Sequence, residues 1–575
     1  MIDLKKRPFG LKDKEEAWVR QTLVSMTIEE KVGQLLCPQL SIFDDNLIRH
    51  LTEDLHVGAV MIRPFEEEGL RENIEKIQKM SKIPLLVSAN LENGANGAIY
   101  EEKIFANPMG CAATQDPGSA YRLGKVSCAK PAYMGVNWGF APIIDIDQNY
   151  HNPITNVRTF GANPDQVLTF AREYCKAAKE EGVAPTIKHF PGDGRDERDQ
   201  HLLVSVNDAS YKQWGDTYGR IYQTLIDEGA PAVMAAHIAA PHVVEWIEPD
   251  AGEKEKYLPA SQSKILLTKL LRGILGFNGL VVTDSTLMVG YMQSMPRHKA
   301  VPYTIECGAD MILFNRQIEE DVQFLLDGVK NGILSRERLD EAVTRILATK
   351  AAQGLLEERE RGEILAKEEV AGWRRQVADE AVTLVKDKRG LLPLSADKTK
   401  RIYLNVIEDD VKNESPFALD MKKRFEREGF AVTLRKRAYN FDPKSITLEN
   451  ITPEVNEALE ETMCSTEDFV KNYDMAVLIL NLQTASNATV VRVNWNVIFG
   501  MGNDLPWYAG EMPLVVVSVN NPYHLLDIPM AHTYINTYTN NEETLDALMD
   551  KLMGRSAFKG VSPVDAFCGK GDTRL

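Results

Sequence analysis

Short apolar runs, each ending in a polar or ionisable residue, recur over about 300 residues in the first part of the chain. Each run is followed by a stretch with the spacing of a helix that buries one face. Seven runs share this form and an eighth lies near 34–37; the seven span 57–62, 84–87, 140–144, 184–187, 232–236, 280–282 and 311–314. Unbroken apolar strands are typical of parallel sheets with both faces covered. The pattern predicts an α/β fold with a (β/α)8 TIM-like barrel, and a doubly wound open sheet is the competing architecture.

A second, smaller α/β unit is predicted after the barrel. A charge-dense stretch at 357–369 follows the helical stretch 336–350, and helical and apolar segments then alternate again. These segments are a helix at 370–385 and apolar runs at 401–407, 430–434, 475–480 and 513–519. The predicted division is a barrel domain at 1–355, a connector at 356–375 and an α/β sandwich-like domain at 376–575.

The composition argues against several classes of partner. The formal net charge of −17 disfavours nucleic acid and anionic membranes, since both require a cationic surface. The N-terminus is polar, without the apolar core of a signal peptide, and no stretch has the length of a membrane span. Seven scattered cysteines with no Cys-x-x-Cys pair indicate buried thiols in a reducing compartment. We therefore expect a cytoplasmic protein with no metal, no nucleic acid and no membrane partner; a homo-oligomer is compatible with the sequence.

The polar residues that end the apolar runs are candidate functional residues. In a (β/α)8 barrel the carboxyl ends of the strands meet at one mouth, where active sites lie. The residues gathered there by this prediction are Arg63, Asn90, Asp145, Lys188, His189, His237, Asp284 and Asn315. From its position alone, Asp284 can be a nucleophile, a metal ligand or a helix N-cap.

A loop that ends in Asp199-x-His201 follows the run 184–187. Pro191, Gly192 and Gly194 make a regular helix unfavourable there. Residues two apart in an extended loop point the same way, so Asp199 can orient the His201 imidazole. A carboxylate that fixes the tautomer and raises the basicity of a histidine is typical of general acid/base catalysis. The alternative is a solvated, charged surface loop.

Several ordered motifs resemble glycoside hydrolase family 3, and within it the β-N-acetylglucosaminidases that use an Asp-His pair on a loop as acid/base. The motifs are the opening helix at 27–35, the segments 135–147, 152–153 and 158–161, the loop 188–194 with Asp199-x-His201, and the strand end 282–284 with Met288. The resemblance covers roughly residues 20–355, and a weaker one covers 380–394, where the family's C-terminal α/β domain begins.

The resemblance implies a role for each candidate residue. Asp284 is expected to be the nucleophile that forms a covalent glycosyl-enzyme, His201 the general acid/base and Asp199 its orienting partner. The residues expected to bind the sugar or line its pocket are Arg158, Lys188, His189, Asn90, Asp145 and His237. No metal ion or organic cofactor is implied.

The resemblance predicts a retaining, exo-acting enzyme that hydrolyses terminal β-linked N-acetylglucosamine from small soluble glycosides such as cell-wall fragments. Retaining glycosidases normally use two carboxylates, but an imidazole, with an intrinsic pKa of about 6.5, can serve as acid/base near neutral pH. An uncharged base also lets an anionic acceptor approach the glycosyl-enzyme. The alternatives are a β-N-acetylglucosaminide phosphorylase, a β-glucosidase of the same family, and a sugar-binding protein without turnover.

Two departures from the family pattern bear on specificity. Asn90 stands where family members usually carry the Asp of an Asp-x-Glu-Gly-Gly turn, which removes a charge-assisted hydrogen bond to the sugar and leaves the identity of the sugar open. Asp193 stands where the branch often has His. In the family's β-glucosidases the acid/base is a glutamate from the second domain. Glu511 is the candidate for that position here, and its alternative is a solvated turn residue.

Overall fold

The computed structural model describes residues 2–357, 362–409, 415–436, 451–483, 486–487, 489, 492–495, 497–498, 501–502 and 504–575. Positions 358–361 of the predicted connector therefore lie outside the described residues. The chain forms two compact units. The first contains residues 1–108, 116–370 and 486–489, and the second contains 109–115, 371–485 and 490–575. A membrane-spanning helix is absent from the described part of the chain.

The first unit is a closed barrel of parallel strands. The strands are β1 (Leu36–Cys37 and Gln39–Leu40), β2 (Ala59–Ile62), β3 (Leu86–Ala89), β4 (Trp138–Gly139), β5 (Ala184–Phe190), β6 (Ala232–Ala235), β7 (Leu280–Thr283) and β8 (Ile312–Leu313). Neighbours in the sequence pair in order from β1 to β7. A parallel bridge between Val282 and Met311 joins β7 to β8, and Leu36 pairs with Ile312 to close the ring. The predicted TIM-like barrel is confirmed.

The burial of the strands explains why the sequence reads as uninterrupted apolar runs. Every residue of β2, β3, β6 and β7 is buried, because each strand has the barrel core on one side and helices on the other. The fourth strand is shorter and earlier than predicted. The regular strand ends at Gly139, and the pairing with β5 continues irregularly past Pro142. The Lys188 N–H donates to the Pro142 carbonyl at 3.3 Å, the Ile144 N–H donates to the Lys188 carbonyl at 2.8 Å, and Ile143 forms a parallel bridge with Lys188.

Helices surround the barrel strands. Those of the first unit are Asp13–Ser25, Ile28–Gln34, Asp45–Arg49, Leu70–Met80, Gly118–Met134, Pro164–Glu180, Tyr211–Trp214, Arg220–Asp227, Pro241–Ile247, Glu253–Lys256, Val289–Met292, Arg297–Cys307, Ile318–Lys330 and Arg336–Ala352, with wider turns at His50–Asp54, Gly215–Gly219 and Ile265–Ile274. The predicted capping box at Thr27 is present. The Thr27 hydroxyl accepts from the Glu30 N–H at 3.2 Å, and the Glu30 carboxylate accepts from the Thr27 N–H at 2.9 Å.

The second unit contains a six-stranded sheet. Its strands are β9 (Thr383–Asp387), β10 (Arg401–Glu408), β11 (Ala431–Leu434), β12 (Met475–Asn481), β13 (Leu514–Ser518) and β14 (Thr533–Asn536), in the order β9-β14-β13-β12-β10-β11. All neighbours are parallel except β9 and β14. Its helices are Pro108–Ala113, Lys367–Ala381, Pro416–Arg427, Pro453–Thr462, Thr466–Asn472 and Glu542–Leu552, and a short hairpin pairs Val497–Ile498 with Met501–Gly502.

Two hydrophobic clusters cover the faces of this sheet. Met421 and Phe425 of the helix Pro416–Arg427 pack in one cluster, and Phe469 and Tyr508 pack in the other. The helix predicted at 370–385 is too long. It ends at Ala381, and 383–387 is an antiparallel edge strand, which suits its β-branched residues.

Candidate active site

Asp284 directly follows β7 at the carboxyl end of the barrel. Its N–H donates to the Ala235 carbonyl at 2.8 Å, which continues the ladder, and its Oδ1 accepts from the Ser285 N–H at 2.7 Å. The residue is 8 % exposed. Burial raises the pKa of Asp284, but the imidazoles of His189, His237 and His201 outweigh that effect and hold it below its usual range. Asp284 is therefore an ionised carboxylate, as a nucleophile must be.

A buried carboxylate–histidine pair lies beside Asp284. His189 Nδ1 donates to Asp145 Oδ2 at 2.6 Å, and the His189 N–H donates to Asp145 Oδ1 at 3.1 Å. This fixes the ring so that Nε2 points the other way, to within 4.0 Å of Asp284 Oδ2. Both side chains of the pair are at least nine-tenths buried, so turning the ring would break the Nδ1 hydrogen bond where no water can replace it.

His237 follows β6, the neighbour of β7, and contacts the residue after Asp284. Burial lowers the pKa of His237, so the ring is neutral. Its Nε2–H donates to the Ser285 carbonyl at 2.9 Å, and its Nδ1 accepts from the Ser261 hydroxyl at 2.9 Å. These two contacts determine its tautomer and hold the residue that follows Asp284 in place.

Glu92, just beyond β3, bonds to two cations: Arg158, from the segment after β4, and Lys188, from β5. Glu92 accepts two hydrogen bonds from Arg158, both at 3.0 Å, and one from Lys188 Nζ at 2.7 Å. Burial raises the pKa of Glu92, but the charges of Arg158 and Lys188 prevail and hold it well below its usual range. The three side chains present fixed donors and acceptors, which is what binding of sugar hydroxyls requires.

Glycine determines the path of the loop after β5. Gly194 has φ of +105°, and a Cβ there would lie 1.9 Å from the Ile146 carbonyl oxygen. Gly192 has φ of +121°, and its Cβ would lie 2.1 Å from the Tyr218 ring. Only glycine fits both positions, so Pro-Gly-Asp-Gly sends the chain tightly past the segment after β4.

The same loop carries the second carboxylate–histidine pair. His201 Nδ1 donates to Asp199 Oδ1 at 2.7 Å, and the His201 N–H donates to the same oxygen at 2.8 Å. Asp199 Oδ2 accepts from the Asn487 N–H at 2.6 Å. The Asp199 side chain is fully buried, whereas that of His201 is 24 % exposed. The predicted Asp-x-His pair thus forms, with the imidazole open on one side.

Backbone contacts join the loop that carries His201 to the segment that follows Asp284. The Val289 N–H donates to the His201 carbonyl at 2.9 Å, and a Cβ at Gly290 would lie 2.4 Å from the Gln200 carbonyl oxygen. The Gln200 side chain in turn accepts from the His237 N–H at 2.9 Å. His201 and Asp284 are therefore held by one set of backbone contacts.

The other predicted mouth residues are less engaged. Asn90 follows β3, is half-buried, and its side chain makes no hydrogen bond to the described residues. Arg63 donates to Gln39 at 3.0 Å and Asn315 donates to Asp321 at 2.9 Å, so both serve contacts outside the group around Asp284. In the second unit, Glu511 is an exposed residue at the turn before β13.

Sequence reasoning assigned no role to three residues of this group. Glu92 was present in the stretch that contains Asn90, and its position three residues beyond a strand end was the available signal. Asp193 is 2 % exposed and its N–H donates to Asp145 Oδ1 at 2.8 Å. Asn487 acts through its backbone, so no side-chain pattern could reveal it.

The arrangement suits covalent catalysis at a sugar carbon. An ionised carboxylate, a solvent-accessible imidazole with its own carboxylate and a fixed polar cluster are the parts that a retaining glycosidase needs. No group of three or more His, Cys, Asp and Glu side chains in the described residues is placed to hold a metal ion.

Known proteins resemble the chain over all or most of its length. A protein from Cellulomonas fimi, described as a beta-N-acetylglucosaminidase/beta-glucosidase, is 39% identical over the whole of both chains. The solved structure of the beta-glucoside phosphorylase BglX is 43% identical, covers 99% of both chains and has a TM-score of 0.90. A family 3 beta-N-acetylglucosaminidase from Paenibacillus sp. str. FPU-7 shares the fold, with 24% identity over 94% of this chain and a TM-score of 0.76.

The match to a family description covers the barrel. Residues 27–349 match the Glycosyl hydrolase family 3 N terminal domain, which is more than half of the chain. With the full-length relative at 39% identity, this shows the family that the sequence motifs indicated. The chain belongs to glycoside hydrolase family 3.

Proposed function

We propose that the enzyme cleaves terminal β-linked N-acetylglucosaminides with retention of configuration, and that β-glucosides are its second group of substrates. The Cellulomonas relative is described by both activities, which supports a site that accepts either substituent at C2. Asp284 is the nucleophile and His201 the general acid/base in this proposal.

The observation that carries the proposal is the Asp199–His201 pair. A histidine whose Nδ1 is bonded to a buried carboxylate at 2.7 Å and whose other edge is accessible is equipped to exchange protons. The pair lies on a loop bound to the segment that follows Asp284, which keeps acid/base and nucleophile in a constant relation. The exposed Glu511 has no comparable setting.

The reaction follows in two displacements. In the first, an Asp284 carboxylate oxygen forms a bond to the anomeric carbon while the bond to the aglycone oxygen breaks, and protonated His201 gives its proton to that oxygen. In the second, neutral His201 accepts a proton from water as the water oxygen bonds to the anomeric carbon and the bond to Asp284 breaks. Two inversions give net retention.

A second candidate is phosphorolysis of the same glycosyl-enzyme. The likeness to a β-glucoside phosphorylase extends over 99% of the chain at 43% identity, which is the specific observation in its favour. A neutral imidazole does not repel phosphate, whereas a carboxylate base would. The phosphate oxygen would bond to the anomeric carbon as the bond to Asp284 breaks, giving a sugar 1-phosphate.

The test is turnover of aryl β-N-acetylglucosaminide and aryl β-glucoside, each with and without phosphate, for the wild type and His201→Ala. The proposal expects a higher kcat/KM for the acetamido sugar and loss of turnover of unactivated glycosides in His201→Ala. His242→Ala, which alters an exposed histidine, is the matched control and should keep full activity.

Product analysis decides between the acceptors. Free sugar at the same rate with and without phosphate supports hydrolysis, and phosphate-stimulated formation of sugar 1-phosphate supports the second candidate. Preference for the glucoside with full activity in His201→Ala would refute both and return the acid/base role to a carboxylate.

A further inference from the structure

Asp193 is a buried carboxyl group to which the reaction above gives no role. It lies in the loop after β5 and is 2 % exposed. Its Oδ1 accepts from the Gly194 N–H at 2.7 Å and from the Asn152 amide at 2.9 Å. Its Oδ2 is buried, and within the described residues it has no hydrogen-bond partner. An ionised carboxylate normally engages both oxygens, so this setting is unfavourable for a charge.

The neighbours of Asp193 make a charge there still less favourable. The Asp193 N–H donates to the Asp145 carboxylate at 2.8 Å, so its side chain adjoins the group that orients His189. The Asp145 carboxylate is the strongest like charge acting on Asp193, and Asp199, from the same loop, adds to it.

The remaining ionisable groups around Asp193 give it no compensating cation. The Tyr218 hydroxyl donates to the Asp193 carbonyl at 2.9 Å, and Asp147 lies near the same hydroxyl. Arg195, two residues further along the loop, donates to Asp208 and Gln148 instead. His189 is bonded to Asp145, and no salt bridge in the described residues includes Asp193.

We propose that Asp193 is a positioning residue that functions as a neutral carboxylic acid: its backbone N–H holds Asp145, and its uncharged side chain spares Asp145 a like charge, so that Asp145 keeps the His189 ring beside the nucleophile. Ionisation would place a third charge between Asp145 and Asp199 and disturb both carboxylate–histidine pairs. Burial and the Asp145 charge raise the pKa of Asp193 to about 8, so the change falls within the working range of an enzyme.

Asp193→Asn is the variant that mimics the neutral form. An amide retains the acceptor for Gly194 and Asn152 and carries no charge at any pH. Asp208→Asn is the matched control, because it removes a negative charge from a nearby but exposed residue, whose side chain is 65% accessible.

The first measurement is the pH dependence of kcat/KM for a 2,4-dinitrophenyl β-glycoside of the sugar that the enzyme turns over fastest. This leaving group needs no proton, so titration of the acid/base contributes little to the alkaline limb. The wild type and Asp208→Asn should decline with a midpoint near pH 8. Asp193→Asn should not, so that at pH 9 its ratio to its own value at pH 7 exceeds that of the wild type by about 10-fold.

Two results of this first measurement would contradict the proposal. An Asp193→Asn variant that declines with the wild-type midpoint would overturn the proposal, as would a variant whose activity is reduced equally at every pH. The second result would mean that Asp193 has a purely structural role.

The second measurement is thermal unfolding, which does not rest on the proposed function. The pKa of Asp193 is higher in the folded chain than the usual value of about 3.9, so the folded state binds an extra proton between pH 4 and 8. Its contribution to stability is therefore lost as the pH rises through that window. The Tm of Asp193→Asn minus that of the wild type should increase from pH 5 to pH 8, and a constant difference would contradict the proposal.

A third measurement uses the wild type alone, in case Asp193→Asn does not fold. Infrared difference spectra between pH 7 and pH 9.5 should show the carbonyl stretch of a protonated carboxyl group disappearing with a midpoint near pH 8. Spectra without any such band in this range would overturn the proposal. If the enzyme proves inactive on every β-glycoside, the unfolding and infrared results still decide whether Asp193 is neutral.

Discussion

The Asp145–His189 and Asp199–His201 pairs contain the same groups in nearly the same geometry. In each, the carboxylate accepts from histidine Nδ1, at 2.6 and 2.7 Å, and from the backbone N–H of the same histidine. The imidazoles differ in exposure, which is 5% for the His189 side chain and 24% for that of His201. The chemistry of such a pair therefore does not determine its role. Exposure does, because a sealed imidazole can orient its neighbours but only an accessible one can exchange protons with an acceptor.

The largest expected effect comes from replacing Asp284, the proposed nucleophile. Asp284→Ala should reduce kcat/KM by about 10⁴-fold or more for every substrate, since it removes the carboxylate that is proposed to form the glycosyl-enzyme. Azide should partly restore turnover and give a glycosyl azide of inverted configuration, which product analysis by NMR would identify. An azide product of retained configuration would contradict the assignment.

His201→Ala and His189→Ala should separate the two pairs by their response to the leaving group. With a poor leaving group, His201→Ala should lose about 10²–10⁴-fold in kcat/KM, the usual contribution of general acid catalysis. With a dinitrophenyl leaving group most of that loss should disappear. The loss in His189→Ala should be the same for both substrates, because His189 Nε2 lies 4.0 Å from Asp284 Oδ2 and is not the proposed proton donor. Equal leaving-group dependence in the two variants would show that the two histidines do not differ in proton transfer to the leaving group.

Removing each carboxylate charge should distinguish the pairs by stability. Asp145→Asn removes the charge and turns an amide NH2 group toward one of the buried donors from which the carboxylate accepts, which are the His189 Nδ1–H, the His189 N–H and the Asp193 N–H. We expect a loss of about 3–5 kcal/mol in the free energy of unfolding. Asp199→Asn should cost about 1–2 kcal/mol, since water can reach His201. Urea unfolding at pH 7 measures both values. A larger loss in Asp199→Asn would show that exposure is not what separates the pairs.

The smallest expected effect concerns the backbone donor at Asn487. This residue has φ of +66°, and its N–H donates to Asp199. Asn487→Gly keeps the donor and suits the positive φ, so kcat/KM should change by less than about 2-fold. Asn487→Pro removes the donor and imposes a negative φ, and a loss of about 10-fold is expected. Identical kinetics in the two variants would show that the contact does not influence the Asp199–His201 pair.

Much of the barrel could be predicted because its strands are buried on both faces. Runs such as 59–62 and 280–283 have no polar alternation, so they stand out in the sequence. The fourth strand was misplaced by a few residues, because its regular part is Trp138–Gly139 and the apolar run 140–144 pairs with β5 only irregularly. In the second unit, β9 was taken for the end of a helix, since a run of four or five apolar residues fits either element.

Some features of the candidate site could likewise be predicted from the sequence, and others could not. Asp284 and the Asp-x-His pair could be named because strand ends and short spacings are visible in one dimension. The ionisation of Asp193 could not, because it depends on Asp145, 48 residues earlier in the chain. The Glu92 cluster likewise joins residues that are 66 and 96 positions apart.

The contact between Asn487 and Asp199 also has a consequence for biosynthesis. The two residues are 288 positions apart, so a ribosome that has added Asp199 must add that many further residues before the second oxygen of Asp199 gains its donor. The proposed proton-transfer group is therefore still incompletely held in a nascent chain that already contains all eight strands of the barrel. Full catalytic competence is expected to arrive late in translation, with the last fifth of the polypeptide.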